Sequence, residues 1–337
     1  MELQLVDSGG GDKILDNGDL TAAFAVFKKD WSVLSARIRT IEHDVSTDNR
    51  RLNLRLHYPA LRDAEATVAE LVRTLTTCLP HFSLSRKQVD AAYAKMATLP
   101  SDFERHLVLS DLDQEARSLF MRARSSTVRT GEAGELLLYL LTEWLLDAPQ
   151  IIAKMTLKTN AQMPVHGSDG IHVRFDAATG NLIFYSGEAK LHSTLGSAIK
   201  DAVRSIKDGA GREKAQQEIE LVRRNIDLAA LEPKAQATLL RYLDPCDEAY
   251  NKRIEVVTCL IGFDFADYAK LNSDDGDPDV QFKALALAKL RNIGPAFAKA
   301  MAEAGLSGQR VELFLFPVPS VKTFRDLFQD RIGWTKG

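Results

Sequence analysis

Apolar residues recur along this chain with two different periods, and the changes of period outline its organisation. "DLTAAFAVFKKDWSVLSARIRTI" carries Phe24, Phe27, Trp31 and Leu34 at helical spacing. "RLNLRLH" alternates Leu52, Leu54 and Leu56 with polar residues, the pattern of a strand with one buried face. Residues 62–78 and 85–97 return to the helical period. "SDLDQEARSLFMRAR" predicts another helix, with Ser110 as its N-cap. Beyond residue 130 the character changes. "TGEAGELLLYLLTEWLL" is a strongly apolar helix from Gly131 to Leu146, and "QIIAKMTLK" a strand. Two alternating strands follow, then a helix in "STLGSAIKDAVRSIK" and a long polar helical region over 211–243. "RIEVVTCLIGFDF" and "RVELFLFPV" are apolar, β-branched strands with a helix over 280–304 between them. This order predicts an α/β protein, a mixed sheet flanked by helices. A boundary near residue 115 separates a mostly helical N-terminal region from the α/β part.

The two alternating strands carry the densest chemistry. In "HGSDGIHVRFDAATGNLIFYSGEAKLH", Ile171, Val173 and Phe175 alternate with polar residues, as do Leu182, Phe184 and Ser186. The loop "DAATGN" has turn chemistry, with Gly180 and Asn181 tolerating positive φ. If Phe175 pairs with Leu182, then Ile171 faces Ser186 and Asp169 faces Glu188. Opposed residues have Cβ atoms roughly 5 Å apart, where like charges repel. Lys190 projects on the same face as Glu188, two residues on. A divalent cation would relieve the carboxylate repulsion, and hard oxygen ligands suit Mg²⁺. The lysine could then orient or deprotonate a water, or stabilise charge developing on phosphorus. The bland alternative is that D…ExK spacing is loose and arises by chance, and a register slip of one residue would reverse the faces.

Composition narrows the setting. The 337 residues carry a formal net charge of −3, so the chain is no uniformly basic nucleic-acid binder, and polyanion binding needs a local basic patch or a partner. The three cysteines, Cys78, Cys246 and Cys259, are widely spaced and form no C-x-x-C pair, which argues against a zinc ribbon and for reduced thiols in a cytoplasmic protein. The longest apolar run, "LLLYLLTEWLL", is interrupted by Glu143 and falls short of the about 20 residues a membrane span needs.

The flanking helices add candidates. Glu132 and Glu135 lie one turn apart at the start of the apolar helix; they serve the helix dipole, or one of them, Glu135 by preference, reaches the cation. In the following helix Leu195, Ala198, Ile199, Ala202, Val203 and Ile206 form a stripe to be buried, with Lys200, Arg204 and Lys207 on the other side. That row is either a solvated face or a binding surface for a phosphate backbone. Arg117, Arg122, Arg124 and Arg129 could extend it. His166, Asp169 and His172 admit a rival transition-metal site, although His172 faces away from Asp169 in a regular strand.

The succession of acidic helix, strand, Asp strand, ExK strand and basic helix resembles the PD-(D/E)xK nuclease superfamily, with "SDG" where the motif often has proline. The run "GEAGELLLYLLTEWLL" through "HGSDGIHVRF" to "YSGEAKLHSTLGSAIKDAV" is similar to the HamA-like effectors of the Hachiman anti-phage defence system, most clearly over residues 129–207. The resemblance implies a restriction-endonuclease-like core over residues 116–337, with residues 1–115 available for partner docking. It implies a Mg²⁺-dependent endodeoxyribonuclease, with Mn²⁺ as an alternative, acting beside a superfamily 2 helicase (HamB-like). Asp169, Glu188 and Glu135 would be metal ligands, Lys190 the catalytic lysine, and Lys200, Arg204 and Lys207 the DNA contacts. Two rivals stand: a catalytically inactive nuclease fold that binds DNA or docks a helicase, and a histidine-containing metal hydrolase of small molecules.

Overall fold

The computed structural model describes residues 17–41, 51–122, 131–152, 170–210, 219–220, 222–224 and 231–334. In chain order, α1 (Asn17–Ala25) leads through a 3₁₀ turn (Ser32–Ala36) into β1 (Ile38–Ile41), then β2 (Leu52–Pro59) and a two-stranded ribbon of β3 (Leu61–Arg62) and β4 (Glu65–Ala66). Four helices follow, α2 (Val68–Thr77), α3 (Leu79–Ser83), α4 (Arg86–Thr98) and α5 (Asp102–Arg122). Next come α6 (Glu132–Leu146), β5 (Gln150–Ile152), β6 (Ile171–Asp176), β7 (Asn181–His192), α7 (Leu195–Gly209), α8 (Pro233–Leu243) and β8 (Arg253–Asp264). The chain continues through α9 (Pro278–Glu303), β9 (Arg310–Val318) and α10 (Val321–Ile332).

Seven strands form one mixed sheet in the order β1-β2-β9-β8-β7-β6-β5. The centre, β2, β9, β8 and β7, is parallel, and both margins are antiparallel. Parallel strands are covered on both faces, so they read as continuous apolar runs; "VTCLIGF" and "VELFLFPV" do so because α6 and α10 cover one face and α7 and α9 the other. Toward the β5 margin, α1 and α8 close the second face around Ile171, Val173, Phe175, Leu182 and Phe184. The expected α/β architecture is thus present, with β1 and β2 carried into the same sheet as the later strands.

Three local expectations are corrected. Phe24, Phe27, Trp31 and Leu34 are all buried, but the helix stops at Ala25 and the chain enters a 3₁₀ turn and β1. Tertiary contacts override the spacing: Trp31 Nε1 donates to Glu143 Oε2 at 2.8 Å, and Lys28 pairs with Asp147, anchoring the extended stretch to the end of α6. Residues 62–66 are not helical, since Asp63 and Ala64 take φ of 51° and 62° in the turn between β3 and β4. Ser110 lies inside α5, whose start is instead served by Ser101, accepting from Phe103 N–H at 3.2 Å. Of the polar stretch 211–243, residues 219–220 and 222–224 and helix α8 are helical; residues 211–218, 221 and 225–230 lie outside the described residues.

Candidate functional site

The β6–β7 hairpin has the register that its alternation demands: Phe175 pairs with Leu182, Val173 with Phe184 and Ile171 with Ser186. Its turn is built locally. Asp176 accepts from Thr179 Oγ1 at 2.7 Å and from Ala178 N–H at 3.1 Å, and Gly180 takes φ of 67°. The ladder reaches one step further, where Gly187 N–H donates to Gly170 O at 3.1 Å. Asp169, the next residue, lies outside the described residues, as do Ser168 and His166.

Strand alternation then sorts the side chains of β7. Ile183, Tyr185, Ala189 and Leu191 pack into the core under α6. Glu188, Lys190 and His192 project to the other face, beside Cys259, Ile261 and Phe263 of β8, which are buried against α7 and α9. The structure brings Glu188 and Lys190 together as an ion pair, with side chains 18% and 26% exposed, so both are shielded yet reachable from solvent. A cavity of about 280 Å³ opens beside Glu188, bordered by Phe184, Ser186, Ile206, Asp208 and Glu255.

Helix α6 approaches β7 from the opposite face. A Cβ on Gly134 would stand 3.1 Å from Leu191 Cγ and 3.3 Å from Ala189 Cβ, so glycine is what lets the first turn of α6 settle onto this strand. Glu132 and Glu135 are both buried in that turn, and the Glu135 carboxylate lies beside Gly131, at the helix start. Helix α6 thus packs on the face of β7 opposite Glu188 and Lys190, and among the described residues no three His, Cys, Asp or Glu side chains cluster as a cation site. The donors near the pair are nonetheless hard carboxylate oxygens, the type suited to Mg²⁺.

Helix α7 lies over the Glu188 face. Ala198, Ile199, Ala202, Val203 and Ile206 are buried as the stripe predicts, and Lys200, Arg204 and Lys207 are exposed along its outer side. Thr194 caps the helix, accepting from Ser197 N–H at 3.4 Å. Arg204 is paired with Asp201 at 2.7 Å, and Asp201 lies 3.1 Å from His192 Nε2, fastening α7 to the end of β7. Arg117 is engaged by Asp113 at 2.7 Å and by the Arg331 carbonyl, while Arg124 and Arg129 lie outside the described residues.

His172 is a core residue. It is 2% exposed, its Nδ1 lies 3.0 Å from Ala148 O, and burial lowers its pKa, so it is not presented toward the Glu188 face. Sequence reasoning missed Arg325 of α10, which donates to the Leu191 carbonyl immediately after Lys190. Burial lowers its basicity, opposed by the charges of Glu132, Asp264 and Asp326. The signal was the stripe Val321, Phe324, Phe328 and Ile332, which buries one face of α10 and draws Arg325 in with it.

Two comparisons bear on this arrangement. The family model HamA matches residues 35–332, most of the chain and all of the described sheet. No curated protein matches the chain in sequence.

Proposed function

Because the chain belongs to the HamA family, whose name links it to Hachiman anti-phage defence, we propose that it is the Mg²⁺-dependent DNA nuclease of that system and works with a superfamily 2 helicase. The observation that carries the reading is the Glu188–Lys190 pair on β7, at the point where the β6 ladder ends. A purely structural sheet has no need of a half-buried carboxylate and ammonium there. Asp169, the residue before Gly170 in the sequence, is the acid this reading expects across from Glu188.

In this reading Glu188 and Asp169 hold the cation, with Glu135 reaching it from α6. Mg²⁺, or Mn²⁺ in its place, supplies Lewis-acid stabilisation of the phosphoryl oxygens and a more acidic water. Lys190, held by Glu188, orients the attacking water and offsets charge developing on phosphorus. The exposed row of Lys200, Arg204 and Lys207 takes the phosphate backbone, giving a net-acidic chain the local positive surface it needs. Among the described residues no helix is long and apolar enough to cross a membrane.

The test is DNA cleavage by the chain together with its helicase, in Mg²⁺ and in EDTA. Glu188→Ala should lower metal affinity and abolish cutting. Lys190→Ala should spare metal binding and still cost ~10²-fold or more in rate. Wild-type cleavage by a normally folded Lys190→Ala protein would refute the mechanism and leave a nuclease fold that only docks DNA or helicase.

A further inference from the structure

His192 is the third side chain in the row that begins with Glu188 and Lys190. Successive same-face residues of a strand are roughly 6.6 Å apart, so the imidazole stands one step beyond the lysine, toward the N-terminus of α7. Its side chain is 32% exposed, and Asp201 Oδ2 lies 3.1 Å from its Nε2. The far oxygen of Asp201 is occupied by Arg204 at 2.7 Å, which fixes the carboxylate. A partly exposed imidazole beside a fixed carboxylate, on the same strand face as the lysine that the nuclease reading makes water-orienting, is arranged as an oriented proton donor.

We propose that His192 is a further catalytic residue, the general acid that protonates the departing oxygen, with Asp201 positioning it; the proposal rests on the nuclease reading above. The attacking water forms the new P–O bond and gives its proton to solvent. The scissile P–O bond breaks, its electron pair leaves on the oxygen, and that oxygen takes the imidazolium proton to become an alcohol. The neutral imidazole then regains a proton from solvent. The charged groups linked to the ring are Asp201 and, through it, Arg204 on α7, with Lys190 two residues back on β7. Phe263, the β8 neighbour of His192, carries no charge.

The experiment compares normal DNA with DNA carrying one bridging phosphorothiolate, made in 3′- and 5′-linked forms, using the chain with its helicase. A thiolate leaves without needing a proton. His192→Ala and His192→Asn should lose ~10²-fold on normal DNA and recover to within about threefold of wild type on whichever linkage places sulfur on the leaving side. Asp201→Asn should lose less and shift the descending, alkaline limb of the pH–rate profile downward. Glu188→Ala should not be rescued by sulfur. DNA binding in EDTA and melting temperature should match wild type for His192→Asn. His192 variants that cut normal DNA at the wild-type rate, or that lose equally on both substrates, overturn the general-acid assignment and leave His192 a tether between β7 and α7. If wild type itself cuts nothing, the nuclease reading and this proposal fall together.

Discussion

Glu143 interrupts the most apolar helix of the chain, and its replacement gives a sharp test of how the N-terminal segment is held. Its carboxylate is almost wholly buried and accepts from Trp31 Nε1 and from Gln150 N–H, both at 2.8 Å. Lys29 Nζ stands 3.9 Å away, its pKa lowered by burial against the opposing pull of Glu143. Glu143→Ala strands two buried donors, each costing about 1–3 kcal/mol, and leaves a shielded ammonium without this counter-ion. The two donors alone sum to about 2–6 kcal/mol. At about 1.4 °C per kcal/mol for a chain of this size, melting should fall by about 3–8 °C.

Glu143→Gln keeps an acceptor and should cost about 1–2 kcal/mol. Trp31→Phe removes one donor and should cost a similar amount. The decisive measurement is the double-mutant cycle: Trp31→Phe with Glu143→Ala should be less destabilising than the sum of the singles by about 1 kcal/mol or more, because the donor and its acceptor vanish together. Thermal and urea unfolding give all four corners. A melting shift under 1 °C for Glu143→Ala, or strict additivity in the cycle, would refute the account of the anchor.

Neutralising Lys200, Arg204 and Lys207 together should weaken DNA binding and reduce the magnitude of the slope of log affinity against log salt by up to about 2.7, at about 0.9 per phosphate contact; an unchanged slope returns the row to a solvated face. Stability should fall as the medium is acidified below pH 6.5, because burial lowers the pKa of His57 to about 3 and of His81 to about 4, so the unfolded chain takes up protons that the folded one refuses. By pH 5 each group costs about 2 kcal/mol of stability that is present in full at pH 7.5. His57→Leu should flatten the acid limb of melting temperature against pH, and an unchanged limb would count against it.

What the sequence disclosed follows from what is local in the fold. The β6–β7 register was legible because two alternating runs flank a turn whose Asp176 and Gly180 chemistry acts over five residues. The buried stripe of α7 and the apolar runs of β8 and β9 were legible for the same reason, since period and burial coincide there. The Trp31 region was not, because its residues are buried through a partner more than a hundred positions away, Glu143, and their spacing fits a helix equally well. Nor could the alternation of "RLNLRLH" reveal that β2 lies parallel to β9, 259 residues later in the case of the Asn53–Glu312 contact. At the site, Lys190 and Glu188 were readable from a spacing of two, whereas Arg325 reaches the same strand from the last helix and carries no motif.

That late arrival of Arg325 bears on which α6 glutamate serves the chemistry. The sequence offered Glu132 and Glu135 one turn apart, with Glu135 preferred. In the fold, α6 rests on the face of β7 opposite Glu188, pinned at Gly134 against Ala189 and Leu191. In the nuclease reading either acid has to reach the site around this strand, beyond Gly170 and Gly187 where the β6 pairing ends. Glu132 is among the charges that stabilise the partly buried guanidinium of Arg325, and Arg325 in turn holds the Leu191 carbonyl. Its negative charge thus has a structural use. Glu135 instead folds its carboxylate toward Gly131, at the helix N-terminus. The division favours Glu135 as the acid of the proposed cleavage site. Under it, Glu132→Gln should lower melting temperature more than cleavage, and Glu135→Gln should do the reverse. Equal effects of the two changes on the Mg²⁺ concentration needed for half-maximal cutting would remove the distinction.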